Sequence, residues 1–193
     1  MGARILFINA CVREESRTLK LAKHLLEKLG DDYEELRLQE VTFPVTDEAY
    51  LKKRDRLIAE GNLDDEMFTL AGQFAAAERI VIAAPYWDLS FPAALKHYIE
   101  QINVVGLTFE YTENGIPRGL CRADKVYYVM TAGGNDVQEE FGFGYVKTLA
   151  QNFYGIPEAE LIKAVGLDIY GTDAEAILAE AEAAIDINGS GSR

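Results

Sequence analysis

Apolar positions along the chain recur in two rhythms. The stretch 3–10 (ARILFINA) is apolar almost without interruption, as are 79–84 (RIVIAA) and 125–131 (KVYYVMT). Runs this short without a two-residue alternation fit strands covered on both faces, as in a parallel sheet. Residues 33–38 and 159–165 alternate more and read as further strands, the first nearer an edge. Between these runs the spacing lengthens to three and four. Leu19, Ala22, Leu25, Leu26 and Leu29 mark one helix, opened by Ser16 as N-cap and closed by Gly30. A second helix spans 47–60, with Tyr50, Leu51, Leu57 and Ile58 inward. A third starts at Asp64 and carries Met67, Phe68, Leu70, Ala71 and Phe74. Pro92 opens a fourth, which turns Ala94, Leu95, Tyr98, Ile99 and Ile102 inward and His97 outward. Later helices are expected around 143–153 and over 172–187.

Residues 107–112 (LTFEYT) alternate, and Glu113-Asn114-Gly115 is a strong turn signal. They predict a β-hairpin flap. Strands alternating with helices imply an α/β protein with a doubly wound parallel sheet in three α/β/α layers. About five strands suit a flavodoxin-like order better than a full dinucleotide-binding fold, and no GxGxxG follows the first strand. No linker or repeat divides residues 1–187, so one domain is expected. The tail 188–193 (NGSGSR) has the composition of a flexible segment.

Composition narrows the partners. The net charge of −13 argues against nucleic acid and against an anionic membrane surface. Two cysteines and two histidines without a Cys/His cluster argue against a disulfide framework and a metal site. With no long apolar run, a reducing cytoplasm is the simplest setting.

In this fold the loops after the first, third and fourth strands meet at the carboxyl edge of the sheet, where ligands bind. The first loop, Cys11 to Thr18, leads into a helix N-terminus whose free amides favour a phosphate. Arg13, Ser16, Arg17 and Thr18 add donors. Glu14 and Glu15 are unfavourable there and are expected to point away. The second loop carries Pro85, Tyr86, the sole Trp87, Asp88 and Leu89; its flat aromatics suit a flat ligand. The third, Thr131-Ala132-Gly133-Gly134, lacks two Cβ atoms and lets backbone approach a ligand. A phosphate pocket, an aromatic loop and a Gly-Gly loop together suit flavin mononucleotide (FMN).

The same residues carry a resemblance. Cys11-Val12-Arg13-Glu14-Glu15-Ser16-Arg17-Thr18, Pro85 to Pro92, Leu95-Lys96-x-Tyr98-Ile99 and the flap Thr108 to Gly115 follow one another as in FMN-dependent NADH-azoreductases and NAD(P)H:quinone oxidoreductases. Thr131 to Gly134 stands at that family's glycine loop. The chain resembles this family over roughly 3–187. The resemblance implies non-covalent FMN and NAD(P)H as electron donor. Quinone or azo compounds would be the acceptors, with the hydride chemistry on the flavin and no catalytic side chain. It also implies a homodimer whose sites lie at the subunit interface, with Phe109 and Tyr111 lining the substrate. The chain departs at Cys11, Tyr86, Asp88 and Leu89, where the family has Ser, Met, Asn and Phe. A carboxylate at Asp88 only accepts hydrogen bonds and would disfavour a reduced, anionic flavin.

Other readings stay open at this point. Cys11-x5-Arg17-Thr18 matches the phosphate loop of low-molecular-weight phosphatases and arsenate reductases, with Cys11 as nucleophile and Arg17 as clamp. Glu14-Glu15 inside that loop and the lack of an Asp-Pro pair weigh against it. A flavodoxin-type electron carrier is a further alternative.

Overall fold

The computed structural model describes residues 4–30 and 32–187. The tail 188–193 and the proposed first strand residue Ala3 lie outside the described residues. Chain order is β1 (Ile5–Asn9), α1 (Arg17–Leu29), β2 (Tyr33–Arg37), α2 (Glu48–Ala59), α3 (Thr69–Ala76), β3 (Arg79–Ala83) and α4 (Ala93–Ile102). Then follow β4 (Phe109–Tyr111), β5 (Pro117–Gly119), β6 (Lys125–Thr131), α5 (Phe143–Leu149), β7 (Glu158–Ala164) and α6 (Ala174–Ala183).

Five strands form one parallel sheet in the order β2-β1-β3-β6-β7. This is the doubly wound, flavodoxin-like arrangement. Successive strand residues face opposite sides, so the apolar runs feed two cores. Ile5, Phe7, Val81, Ala83, Tyr127 and Val129 pack beneath Leu21 and Leu25 of α1 and Leu178 of α6. Leu6, Ile8, Ile80, Ile82, Val126, Tyr128 and Met130 pack under Leu57, Phe74, Leu95, Tyr98 and Val146 of α2 to α5. Two-sided burial is why these strands lack alternation. Strand β2 lies at the edge, as its mixed sequence implies.

The helix ends follow local chemistry. Ser16 Oγ accepts from the Leu19 N–H at 3.3 Å, and Gly30 closes α1 at φ 109°. Asp47 and Asp173 cap α2 and α6 in the same way. Several expectations need adjusting. Leu51 of α2 is exposed, so that helix buries a narrower stripe than its spacing suggested. The segment from Asp64 first makes one 3-10 turn, Glu66–Phe68, capped by Asp65, before α3. Pro92 caps α4 from outside its first turn. The helix after β6 runs on as a π-helical turn, Ala150–Tyr154, ended by Gly155 at φ 73°. The last helix is shorter than 172–187. His97 is exposed as expected.

The flap is a two-stranded antiparallel hairpin, β4 with β5. Helix α4 returns from the carboxyl edge of the sheet and β6 starts at the amino edge. The flap between them therefore emerges at the amino edge. Its base is clamped on the π turn. A Cβ at Gly119 would overlap backbone atoms of Tyr154 and Gly155.

Candidate functional site

Strands β1, β3 and β6 are adjacent, so their three following loops converge at the carboxyl edge of the sheet. A cavity of about 240 Å³ opens there. Of the expected site residues, Arg13, Ser16, Arg17, Thr18, Pro85, Tyr86, Trp87, Thr131 and Gly133 line it. The loops are also bonded to each other. Thr18 Oγ1 lies 2.6 Å from Thr131 Oγ1, joining the start of α1 to the end of β6. The Tyr86 N–H donates to Thr131 O at 3.0 Å, joining the second loop to the third. The Tyr86 hydroxyl accepts from the Gln138 N–H at 2.9 Å, and Ser90 Oγ donates to Phe141 O at 2.7 Å. Backbone pairing and side-chain bonds thus hold the aromatic loop from both ends.

The aromatic loop turns back on itself over four residues. Trp87 and Ser90 exchange backbone hydrogen bonds of 3.1 and 2.7 Å. Asp88 and Leu89 between them have φ 49° and 67°. Two positive φ values in a two-residue turn are the type I′ pattern, which favours Asn, Asp and Gly. Asp88 satisfies that preference; Leu89 does not and stores strain of about 1–2 kcal/mol. The turn leaves Trp87, Asp88 and Leu89 exposed, and only Trp87 reaches the cavity wall. Asp88 is thus explained by turn chemistry, and its carboxylate does not border the cavity.

Cys11, Ala132 and Gly134 also stay off the wall. Ala132 is buried, and a Cβ on Gly134 would meet open space. Gly133 carries a second constraint beside the ligand approach its sequence suggested. A Cβ there would overlap the Asp168 carboxylate, so the missing atom makes room for a neighbouring side chain. Cys11 is 7% exposed, with Sγ 3.8 Å from Ala83 O. Burial pushes its thiol up to about 11, against a smaller lowering by the Ser16 hydroxyl. A nucleophilic phosphate-loop cysteine needs the reverse shift. Arg17, the clamp in that reading, is engaged by Leu167 O and Asp168. The phosphatase arrangement is not formed.

Three wall residues were not among the expected contacts: Val12, Glu15 and Asp168. Glu14 stays off this wall as anticipated, but Glu15 borders the cavity. Asp168 comes from a fourth loop, after β7. That loop is laced to the third by Gly166 N–H to Gly134 O at 2.9 Å and Asp168 N–H to Gly133 O at 3.0 Å. Asp168 Oδ1 pairs with Arg17 Nη2 at 2.9 Å. The loop was detectable by the rule that found the other three, since it also ends a strand at the carboxyl edge. Of the two flap residues, Tyr111 is exposed. Phe109 is buried instead, its ring 5.1 Å from Phe153 and 5.5 Å from Tyr111. In this chain Phe109 therefore anchors the flap and offers no open surface.

Comparison with known proteins identifies the fold and the family. Residues 3–187 match a family model described as the flavodoxin-like fold. Over 188 residues the chain is 37% identical to FMN-dependent NADH:quinone oxidoreductase 2 of Clostridium acetobutylicum, covering 91% of this chain and 92% of that protein. This chain belongs to the flavodoxin-like FMN-dependent NADH:quinone oxidoreductase family. An FMN-dependent NADH:quinone oxidoreductase of Coprothermobacter proteolyticus is 34% identical, covering 93% of this chain and 94% of its own. Among solved structures, an FMN-dependent NADH-azoreductase of Bacillus anthracis in complex with FMN superposes with a TM-score of 0.75. It is 26% identical over 95% of each chain. No helix among the described residues is long and apolar enough to cross a membrane.

The residues present fit FMN at this cavity. One end offers two guanidinium groups, the Ser16 and Thr18 hydroxyls and the first amides of α1, which have no acceptor within the helix. The other end offers the Tyr86 and Trp87 rings against Thr131 and Gly133. A phosphate donor set beside an aromatic wall matches a flat ring carrying a phosphate tail.

Proposed function

We propose that this chain binds FMN non-covalently at the carboxyl edge of its sheet and reduces quinone or azo acceptors with NAD(P)H. The observation that carries this reading is the single cavity on which the first helix start, the aromatic loop and the glycine loop converge. The relatives named for FMN and NADH support it. When bound, FMN supplies two-electron transfer between nicotinamide and acceptor.

The protein's share is binding and positioning. Arg13, Ser16, Arg17, Thr18 and the α1 amides hold the phosphate end. Pro85, Tyr86, Trp87, Thr131 and Gly133 flank the ring. Tyr86 and Thr131, tied through backbone and to Thr18, keep the two walls at a constant separation. No nucleophilic side chain is required, which agrees with the protonated state that burial imposes on Cys11. Residues 1–187 act as one domain in this reading.

A homodimer is part of the proposal. Tyr111, Ile116 and Leu120 leave an apolar surface on the flap that a second copy would cover. A cytoplasmic setting fits two free cysteines, one of them buried. The visible spectrum of the purified protein tests the core of the reading. A yellow protein that NADH bleaches and a quinone restores is the expected result. A colourless chain that FMN cannot reconstitute would overturn it. Bleaching without recovery on quinone would favour an electron carrier instead.

A further inference from the structure

The phosphate end of the cavity carries an unusual charge set. Arg13 and Arg17 line it, and so do Glu15 and Asp168. Two guanidinium groups against two carboxylates leave no net side-chain charge where a dianionic phosphate would bind. Asp168 is the best placed of the four. Its backbone N–H is held by Gly133 O at 3.0 Å, and its carboxylate fills the space that a Cβ at Gly133 would need. From there Oδ1 takes Arg17 Nη2 at 2.9 Å, while Arg17 Nη1 donates to Leu167 O at 3.2 Å.

Stability does not account for this pair. The two side chains are 34% and 66% exposed, and ion pairs so open to water contribute at most about 1 kcal/mol. Their position on the cavity wall matters more. A carboxylate close to the phosphate opposes it directly, and it occupies guanidinium hydrogen bonds that would otherwise reach an anion.

We infer that Asp168 is a positioning residue that weakens the grip on the cofactor's phosphate by holding Arg17 and neutralising it, so that the flavin exchanges from this site. The inference rests on the proposed FMN binding. It assigns affinity control to the fourth loop, which neither the family comparison nor the three-loop site includes. Selectivity follows from charge: Asp168 acts on the phosphate and not on the ring.

Flavin binding measured by fluorescence quenching tests this with two probes. FMN carries the phosphate and riboflavin lacks it. Asp168→Asn keeps the side-chain shape and a carbonyl acceptor for Arg17 but removes the charge. The expected result is FMN binding about tenfold tighter, roughly one charge contact, with riboflavin affinity unchanged. The salt dependence of FMN binding should also steepen, because the site gains net positive charge. An unchanged or weaker FMN affinity in Asp168→Asn would overturn the inference while leaving the proposed function standing. Equal tightening of both flavins would overturn it too, since the effect would then not act on phosphate. A wild-type chain that binds neither flavin would sink the proposed function itself. Thermal unfolding of both proteins without flavin verifies that the variant is folded.

Discussion

Thr18 Oγ1 and Thr131 Oγ1 lie 2.6 Å apart, and the two side chains are 1% and 7% exposed. Either hydroxyl can donate. This one bond ties the helix start at the phosphate end to the strand that ends in the glycine loop. It is therefore both a packing contact and a spacer between two walls of the cavity.

Removing one hydroxyl should cost more than removing both. Thr18→Val or Thr131→Val leaves a buried partner unpaired, at about 1–3 kcal/mol. The double variant leaves no orphan and should recover part of that loss. Urea unfolding of the four proteins measures the coupling. Strictly additive losses would mean that the hydroxyls do not bond. Each single variant should also weaken FMN binding, because the helix start and the third loop lose their common anchor.

The turn at Asp88 and Leu89 yields predictions of opposite sign. Asp88→Ala places a residue poorly suited to φ 49° in the turn and should lower stability by about 1 kcal/mol. Leu89→Gly relieves strain of about 1–2 kcal/mol against a smaller backbone entropy cost, so stability should rise. Asp88→Asn should change neither stability nor the potential of bound flavin. A carboxylate about 5 Å from the ring would shift that potential by roughly 20 mV even at water's dielectric. A shift of that size would show that Asp88 faces the ring after all.

The same turn separates what was legible in the sequence from what was not. Ser16, Gly30 and the uninterrupted apolar strands announce themselves, because caps and two-sided burial are local or periodic properties. Topology then brings the first three loops together, and most of the expected contacts reach one cavity. Side-chain direction is another matter. Asp88 reads as a ring contact in the sequence, whereas its place in an exposed turn at φ 49° is visible only in the fold. Phe109 reads as a substrate contact, and its packing on Phe153, forty-four residues later, has no signal in the sequence. Asp168 has no neighbouring motif at all. Its role depends on Arg17 and Gly133, which are near it only in the folded chain.

The cysteines predict an alkaline limb in stability. Burial raises the Cys11 thiol from 9 to about 11 and the Cys121 thiol to about 12. A raised value in the folded state means stability that is fully present below the unfolded value near 9. It is lost as pH climbs toward 11 and 12, because the unfolded chain releases its protons first. For Cys11 the loss amounts to about 3 kcal/mol. Urea midpoints should therefore fall above pH 9, and the fall should be shallower in Cys11→Ala. An identical limb in both proteins would assign the loss to other groups. Alkylation of Cys11 in the folded protein should likewise be slow at pH 8 and accelerate toward pH 11.

Gly119 offers a test of the flap at a distance from the cavity. A methyl group there would overlap backbone of Tyr154 and Gly155, which cannot rotate away as a side chain would. The neighbouring bonds, Leu120 N–H to Thr108 O at 3.0 Å and Cys121 N–H to Tyr154 O at 3.3 Å, would be displaced with it. Gly119→Ala should therefore destabilise the chain by about 1–3 kcal/mol and expose Phe109. Gly115→Ala is the control. It sits at the flap tip at φ 73° with nothing within 4 Å, so it meets backbone strain without collision. The flap springs from the amino edge and the cavity lies at the carboxyl edge. Within one chain, Gly119→Ala should leave FMN affinity unaltered. Loss of affinity together with a fall in molecular mass by light scattering would show that the flap serves the cavity of a second copy. Loss of affinity at constant mass would contradict the separation of the two edges.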